Sequence, residues 1–405
     1  MKGLIGNCVV GQSGGPTTAI NASLAGVVGQ AKKSPEIKTI YGMVNGIVGL
    51  INDHLCNLSE LSDEQLDILK HTPASYLHTC RYKLPSAQEA PDVYEKIFER
   101  FKKYDIKYFF YIGGNDSMDT VMKVSNYAKE IGYEINVIGV PKTVDNDLLI
   151  TDHTPGFGSA AKYIATSVME AMYDCNVYDM ETVTIFEMMG RNAGWMAAAA
   201  ALARQEEGDA PHLIYLPEIA VDFDKCVEDI KEVQKKIKNV IVCVSEGCKT
   251  ADGKFLGDTG VVDSFGHKQL SGAARTLGNY VAEKLGCRVR VLELGVLQRC
   301  ACHTASKTDL DESEMIGQAG VKAAIDGQTG MMMIYVRQPG DEYKITIDSY
   351  DINKIANGEK KVPREWINEA GNDVTEECVK YMRPLIMGEC ELRRKNGLPV
   401  YAKLK

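Results

Sequence analysis

Tyr108-Phe109-Phe110-Tyr111-Ile112-Gly113-Gly114-Asn115-Asp116-Ser117 is the stretch that decides the fold. Its five consecutive apolar residues, without polar alternation, are typical of a strand that is covered on both faces of a parallel sheet. The two glycines mark a turn, and a helix is expected after the polar residues. The stretch therefore predicts a strand–turn–helix unit of an α/β protein, with polar side chains at the carboxyl end of the strand.

The same pattern recurs along the chain almost to residue 340. Apolar runs predict further strands at residues 8–10, 137–140, 183–186, 240–244 and 332–336. Amphipathic stretches between them predict helices, for example at residues 160–174 and 193–204. This alternation favours an α/β fold with largely parallel sheets. From about residue 341 to residue 405 the sequence becomes polar and turn-rich, and we expect a C-terminal extension there.

The length and charge of the chain limit what it does. Its 405 residues are too many for one ordinary core and predict two domains of roughly 150–200 residues each. With a formal net charge of -9, the chain lacks the excess of basic residues that is typical of a nucleic-acid-binding protein. No nucleic-acid partner is therefore expected. An anionic substrate would need cations gathered locally at its site.

Several features predict a cytoplasmic protein without a membrane partner. The N-terminus has too few apolar residues for a signal peptide, and no run of about 18 apolar residues occurs. The twelve cysteines are spread along the chain and are interpreted as reduced thiols. The one tight cluster, Cys300-Ala301-Cys302-His303, has no second ligand pair at a suitable spacing, so we expect no metal site there.

A glycine-rich segment, Gly11-Gln12-Ser13-Gly14-Gly15-Pro16-Thr17, follows the first predicted strand. Glycines at the start of a helix allow backbone N–H groups to approach a phosphate. A tight strand-to-helix turn explains the same glycines equally well. The segment matches neither the P-loop, which ends in Gly-Lys-Ser/Thr, nor the dinucleotide fingerprint Gly-x-Gly-x-x-Gly.

The densest polar segment is Pro141-Lys142-Thr143-Val144-Asp145-Asn146-Asp147, directly after a predicted strand. In an extended loop, the side chains of Thr143, Asp145 and Asp147 share one face and can converge on one ligand. Two carboxylates suit general-base and magnesium chemistry, and a lysine suits a departing phosphate. The alternatives are a solvated polar turn here, and simple helix N-caps at Asp116 and Ser117.

Further charged residues follow later strands. They are Arg191, within Glu187-Met188-Met189-Gly190-Arg191-Asn192-Ala193-Gly194, then Glu246, Arg288, Arg290 and Arg299. Arginines offer forked donors that suit phosphate oxygens, and a glutamate accepts hydrogen bonds from sugar hydroxyls. Taken singly, each arginine also fits an ordinary surface position.

With these motifs the chain resembles the 6-phosphofructokinase family from about residue 4 to about residue 340. The resemblance rests on Gly113-Gly114-x-Asp116-Ser117, residues 142–147, Met189-Gly190-Arg191-x-x-Gly194 and Gln298-Arg299. It implies the phosphofructokinase fold, with two Rossmann-like three-layer domains. Residues 1–156 with about 298–340 would form a phosphoryl-donor domain and residues 157–297 a sugar-phosphate domain. The extension, about 341–405, would pack on the second domain.

The resemblance also implies an activity and residue roles. Members transfer a phosphoryl group to the 1-hydroxyl of fructose 6-phosphate with Mg²⁺, and Asp145 matches the proton acceptor. Contacts to the sugar phosphate and to the transferring phosphate are matched by Thr143, Asp145, Met189, Gly190, Arg191, Glu246, Arg290 and Arg299. The donor-binding positions are Gly14, Gly15, Arg81 and Ser117. Asn115 or Asp116, with Asp147, would lie at the metal. The family is generally dimeric or tetrameric, which implies a homodimer or homotetramer here.

Two side chains decide the phosphoryl donor. ATP-dependent members usually have glycine at the positions of Asp116 and Lys142, whereas pyrophosphate-dependent members usually have aspartate and lysine. A carboxylate at 116 would repel the α-phosphate of ATP by about 4 kcal/mol at a separation of about 4 Å and an effective dielectric near 20. Lys142 would neutralise the leaving phosphate. The resemblance thus favours a pyrophosphate-dependent, reversible enzyme.

Three residues depart from the family pattern. Asn115 stands where many members have a magnesium-binding aspartate. Thr182 replaces an arginine that reaches into a neighbouring subunit's sugar site, and Val296 replaces a histidine or tyrosine before Leu-Gln-Arg. The alternative functions are an ATP-dependent 6-phosphofructokinase and a non-catalytic phosphometabolite sensor on the same fold.

Overall fold

The computed structural model describes residues 3–262, 268–355 and 358–404. Its strands are β1 (Gly6–Gln12), β2 (Ile37–Met43), β3 (Leu55–Asn57), β4 (Ile106–Gly113), β5 (Asn136–Pro141), β6 (Thr182–Met188), β7 (Leu213–Tyr215), β8 (Asn239–Ser245), β9 (Asp258–Val262), β10 (Lys268–Leu270), β11 (Arg288–Glu293), β12 (Met331–Arg337), β13 (Ile345–Asp351), β14 (Arg394–Lys395) and β15 (Leu398–Pro399).

The α-helices are α1 (Ile20–Lys32), α2 (Gly46–Ile51), α3 (Asp63–Lys70), α4 (Pro91–Lys103), α5 (Asn115–Glu130), α6 (Phe157–Cys175), α7 (Trp195–Ala198), α8 (Phe223–Gln234), α9 (Ala273–Leu285), α10 (Lys307–Ile325) and α11 (Glu376–Met382). Short 3₁₀ helices lie at Ala199–Ala203, Gly295–Arg299, Cys302–Thr304, Ile352–Lys354, Arg364–Trp366 and Arg383–Ile386.

The larger sheet has seven strands in the order β13-β12-β5-β4-β1-β2-β3. Its five inner strands are parallel, and the edge strands β3 and β13 are antiparallel to their neighbours. Residues of α1, α3 and α10 form the core on one face, and residues of α2, α4 and α5 the core on the other. Phe109 and Phe110 of β4 are fully buried on opposite faces, which explains why this strand lacks polar alternation.

The smaller sheet has four parallel strands in the order β11-β6-β8-β7. Helices α6, α7 and α11 cover one face, and α8 and α9 cover the other. The predicted α/β fold with largely parallel sheets is confirmed. The helical stretch predicted at residues 193–204 is confirmed at residues 195–203, where α7 gives way after Ala198 to a tighter 3₁₀ helix. This run of small alanines packs fully buried against α6.

The C-terminal extension contacts both sheets and their helices. Its strand β13 completes the edge of the larger sheet, and Ala402 and Leu404 pack against the core beneath α1. Val362 and Cys378 enter the core beside α6. An extension of some sixty residues is long enough to cross from one sheet layer to the other.

An aromatic cluster marks the contact between the extension and the smaller sheet. Trp366 and Tyr381 of the extension pack on Trp195, with ring centroids 6.0 and 5.3 Å from it. The predicted domain bounds stay a prediction. In the described part of the chain, no helix combines the length and apolar character needed to cross a bilayer.

Candidate active site

A cleft of about 360 Å³ lies where the carboxyl ends of strands from both sheets meet. Small-molecule sites are commonly roughly 300–1,000 Å³, so the cleft suits a metabolite. The segments that line it follow β1, β4 and β5 of the larger sheet and β6 and β8 of the smaller. The predicted residues that line it are Gly14, Gly15, Arg81, Asn115, Asp116, Ser117, Lys142, Thr143, Asp145, Asp147, Met189, Arg191, Glu246 and Arg299.

The turn after β4 brings polar side chains to the mouth of the cleft. A Cβ atom at Gly113 would lie 2.0 Å from the hydroxyl oxygen of Ser117, so the tight approach of α5 requires glycine there. Helix α5 has Gly114 as its N-cap residue and no side-chain cap. Asp116 and Ser117 are therefore not N-caps. Asn115 and Asp116 occupy the first turn of the helix and line the cleft.

The loop after β5 alternates in burial. Val144 and Asn146 are 6% and 0% exposed, whereas Thr143, Asp145 and Asp147 are partly exposed and line the cleft together, as their spacing predicts. The alternation has a backbone cost, because Asn146 adopts a left-handed conformation with φ of 53°. Asparagine tolerates that region better than most residues do.

Lys142 lies beneath the glycine turn that follows β1. Its ammonium donates a hydrogen bond to the carbonyl oxygen of Gly15 at 2.6 Å, and the residue is 2% exposed. Burial lowers the pKa of Lys142 to about 8, although the carboxylate of Asp145 opposes that shift. The guanidinium of Arg299 lies close to Gly15 as well. Two cations therefore lie at the turn where a phosphate is expected.

Three carboxyl groups of the cleft hold protons more tightly than usual. Burial raises the pKa of Asp145, although Arg191, Lys142 and Arg299 oppose the shift. Burial, with the negative charge of Asp145, raises the pKa of Asp147 to about 7 and that of Glu246 to about 7. Carboxyl groups with pKa values near neutrality suit proton transfer at physiological pH.

The loops after β6 and β8 are held against each other. The backbone N–H of Gly190 faces the carboxylate of Glu246 at 3.4 Å, and the N–H of Glu246 donates to the carbonyl of Met188 at 2.9 Å. A Cβ atom at Gly247 would lie 2.0 Å from the carbonyl oxygen of Arg191, so this contact requires glycine. The Nε atom of Arg191 is buried without a hydrogen-bond partner among the described residues. Arg191 also lines the cleft, where the forked donors of a guanidinium suit an anion.

The structure does not bring Arg290 into the cleft of its own chain. This arginine lies on the edge strand β11 and pairs with Asp174 at 2.8 Å. It lines a separate surface pocket together with Arg288 and Thr182. Sequence position alone placed Arg290 with the other sugar-phosphate residues, and the edge position of its strand explains the difference.

The cleft also contains a residue that the sequence analysis missed. Glu359, from the C-terminal extension, lines the cleft and accepts a hydrogen bond from the side chain of Asn192. Its negative charge contributes to the raised pKa values of Asp145 and Asp147. No sequence signal identifies Glu359, because it lies far beyond the last motif in an irregular segment.

The family resemblance implies a bound Mg²⁺, and the charged residues of the cleft indicate where such an ion fits. Within residues 3–262, 268–355 and 358–404, no three His, Cys, Asp or Glu side chains are arranged to hold a metal ion. Mg²⁺ in phosphoryl-transfer sites is usually bound by one or two carboxylates, water and substrate phosphates. Asp147, beside the negative charge of Asp145, is in the environment that a cation relieves, so Asp147 fits such an ion.

Comparison with known proteins identifies the protein family. The family model for phosphofructokinase matches residues 7–323. The chain belongs to the phosphofructokinase family.

Individual relatives define the group more narrowly. The chain is 44% identical to the pyrophosphate–fructose 6-phosphate 1-phosphotransferase of Halomonas elongata, over 98% of this chain and 96% of the relative. The crystal structure of the pyrophosphate-dependent phosphofructokinase of Marinobacter aquaeolei superposes with a TM-score of 0.89 and 40% identity, covering 99% of this chain and 96% of the other. The corresponding enzyme of Nitrosospira multiformis gives 0.90 and 40%, covering 98% and 96%.

Proposed function

We propose that this chain is a pyrophosphate–fructose 6-phosphate 1-phosphotransferase. It moves a phosphoryl group from pyrophosphate to the 1-hydroxyl of fructose 6-phosphate and gives fructose 1,6-bisphosphate and phosphate. The observation that carries the proposal is the buried ammonium of Lys142, which donates to Gly15 at 2.6 Å in the cleft that Asp116 also lines. The names of the relatives described above support it.

The donor assignment follows from charge. Pyrophosphate has no nucleoside to anchor it, so the site needs cations directly at the phosphates, and Lys142, Arg81 and Arg299 line the cleft there. Asp116, in the first turn of α5, places a negative charge where the α-phosphate of ATP would pass. The same pair of residues therefore assists one donor and repels the other.

The chemical step needs a general base, a residue that binds the transferring phosphate and a cation beside the leaving phosphate. Asp145 accepts the proton of the 1-hydroxyl, and the freed oxygen attacks the nearer phosphorus while the bond to the leaving phosphate breaks. Arg191, which lines the cleft, holds the transferring phosphate. Lys142 neutralises the charge that develops on the leaving phosphate, and Glu246 accepts hydrogen bonds from the sugar hydroxyls.

Mg²⁺ completes the set of charges. The cleft is lined by the carboxylates of Asp116, Asp145, Asp147, Glu246 and Glu359 and by the cations Arg81, Lys142, Arg191 and Arg299. Asp147, with Asn115 or Asp116, would hold the ion. When bound, Mg²⁺ neutralises phosphate charge and thereby lowers the barrier to transfer.

A homo-oligomer, dimeric or tetrameric, explains the position of Arg290. This residue does not line the cleft of its own chain and instead lines a different pocket with Arg288 and Thr182. Exposed apolar side chains, Tyr173, Val177 and Tyr178, lie near that pocket. An interface between two copies would cover these side chains and bring Arg290 to the partner's sugar phosphate.

The reaction is reversible, because the phosphoryl-group potential of pyrophosphate is near that of the product. The enzyme then serves both glycolysis and gluconeogenesis in the cytoplasm.

The deciding experiment compares initial rates with pyrophosphate and with ATP at equal Mg²⁺. We expect rapid turnover with pyrophosphate and little with ATP. The opposite result would overturn the donor assignment, and no turnover with either donor would favour a phosphometabolite sensor.

A further inference from the structure

The C-terminal extension makes an unexpected set of contacts to the loop that carries Asp145. The phosphofructokinase family model ends at residue 323, so these contacts come from residues outside it. Residues 359–362, here named the bridging segment, run between the loop after β5 and the loop after β6. The extension therefore reaches the two loops that would hold the base and the transferring phosphate.

On one side, the bridging segment is bound to the loop after β5. The backbone N–H of Lys360 donates to the carbonyl of Asp147 at 2.8 Å. The Lys360 ammonium donates to the carbonyl of Asp152 at 2.7 Å, to that of Thr151 at 3.2 Å and to the side-chain oxygen of Asn146 at 3.3 Å. Three acceptors thus hold one ammonium in a fixed place.

On the other side, the bridging segment is bound to the loop after β6. The indole N–H of Trp195 donates to the carbonyl of Lys360 at 2.8 Å. Glu218 accepts hydrogen bonds from the backbone N–H groups of both Val362, at 3.0 Å, and Gly194, at 2.9 Å. The backbone of the segment thus links the two loops. The Lys360 ammonium donates its hydrogen bonds to the loop after β5 and lies 5.5 Å from the centre of the Trp195 ring.

Asn146 is the residue on which these contacts converge. Its side chain is fully buried, and its backbone is in the left-handed region between the two carboxylates of the loop. Lys360 donates to its oxygen, and its amide donates to the hydroxyl of Tyr381 at 3.1 Å. The Tyr381 hydroxyl in turn donates to the carbonyl of Asp152 at 2.5 Å. Both partners of the Asn146 amide come from the extension.

We propose that Lys360 and Tyr381 are positioning residues for the phosphoryl transfer, which fix Asn146 and thereby aim the carboxylate of Asp145 at the 1-hydroxyl. The inference rests on the function proposed above. Neither residue touches the substrate cleft, so each acts through the loop. A base displaced by about 1 Å loses about 100-fold in rate, which makes such support measurable.

The test uses Lys360→Met and Tyr381→Phe, with Lys361→Met as the matched control because Lys361 is the neighbouring, exposed lysine. We expect each of the first two to lower kcat about 10- to 100-fold while KM for fructose 6-phosphate changes less than about threefold. Lys361→Met is expected to retain the full rate. Because both side chains act on Asn146, the double variant should lose less than the product of the two single losses.

Thermal unfolding and calorimetric binding of fructose 6-phosphate separate positioning from general damage. Rates within twofold of wild type in both single variants would overturn the inference, and so would a loss of sugar-phosphate affinity equal to the loss of kcat. If Lys360→Met does not fold, Tyr381→Phe, which removes one oxygen atom, decides the question. The wild-type rate with pyrophosphate tests the proposed function, and the ratio of variant to wild type tests the positioning role, so the two outcomes are distinct.

Discussion

The ammonium of Lys142 lies 2.6 Å from the carbonyl oxygen of Gly15, so a residue at the end of β5 supports the glycine turn at the end of β1. The two strands are separated by β4 in the sheet. The lysine therefore spans the turn after β4 and holds its charge beneath the place where the donor phosphates are expected. A buried ammonium of this kind also has a pKa within reach of ordinary assay conditions.

The first prediction concerns that pKa. Burial lowers the pKa of Lys142 to about 8, so its ammonium is charged below that pH and neutral above it. We expect kcat/KM for pyrophosphate to fall as the pH rises through about 8, because a neutral amine no longer attracts the donor. Lys142→Arg keeps its charge throughout, although its overall rate should be lower. An unchanged alkaline fall in that variant would assign the titration to another group.

The second prediction concerns donor exclusion by Asp116. We expect Asp116→Gly to tighten ATP binding by up to roughly a thousandfold, because it removes both the charge and the side-chain volume. Asp116→Asn separates the two effects, since it removes the charge and keeps the size. The double variant that combines Asp116→Gly with Lys142→Gly should turn over pyrophosphate more slowly. Unchanged ATP affinity in Asp116→Gly would show that repulsion at this position does not exclude ATP.

The third prediction concerns the base. Asp145→Asn should lower kcat by about 10²–10⁴-fold, which is the usual contribution of a general base. Fructose 6-phosphate should still bind, because Arg191 and Glu246 remain in place, and calorimetry measures this directly. Asp147→Asn removes the other carboxylate on the same face of the loop and is measured in parallel. Near-wild-type turnover in Asp145→Asn would remove Asp145 from its role as proton acceptor.

The fourth prediction concerns a buried histidine away from the cleft. His153 lies between the carboxylates of Asp152 and Glu312, at 2.9 and 2.8 Å, and stacks on Tyr335. Burial alone would lower the pKa of His153, but the two carboxylates raise it above its ordinary value. The charged form therefore stabilises the fold below about pH 6.5, and this contribution disappears as the pH rises through the raised pKa.

His153→Gln should accordingly lower the free energy of unfolding by about 3–5 kcal/mol at pH 6 and by less at alkaline pH. Chemical denaturation at several pH values measures the difference. His54→Gln, at an exposed position, is the control for the loss of a histidine side chain as such. An equal loss at all pH values would mean that the charge of His153 does not contribute.

The sequence predicted the parts of the site that depend on local geometry. The strand before Gly113 and the shared face of Thr143, Asp145 and Asp147 follow from strand ends and from the alternation of an extended chain. Both were visible because each lies within one short segment. The alternating burial from Thr143 to Asp147 shows that the same local rule holds inside the folded loop.

The parts that the sequence did not predict depend on long-range packing. Glu359 and Lys360 follow the last motif by some sixty residues, and no periodicity marks them. Only the folded chain brings Glu359 to the cleft and Lys360 to the loop that carries Asp145. Arg290 matched a motif position, yet its strand lies at the edge of the smaller sheet and its side chain pairs with Asp174. A match in sequence does not show whether the folded chain brings a side chain into the cleft.

The aromatic cluster at the extension has a spectroscopic consequence. The chain contains two tryptophans, and both belong to this cluster, with their rings 6.0 Å apart. The ammonium of Lys360 lies 5.5 Å from the ring of Trp195. The tryptophan fluorescence of this protein therefore arises from the junction between the extension and the smaller sheet. Its emission is a label-free optical signal for the docking of the last sixty residues.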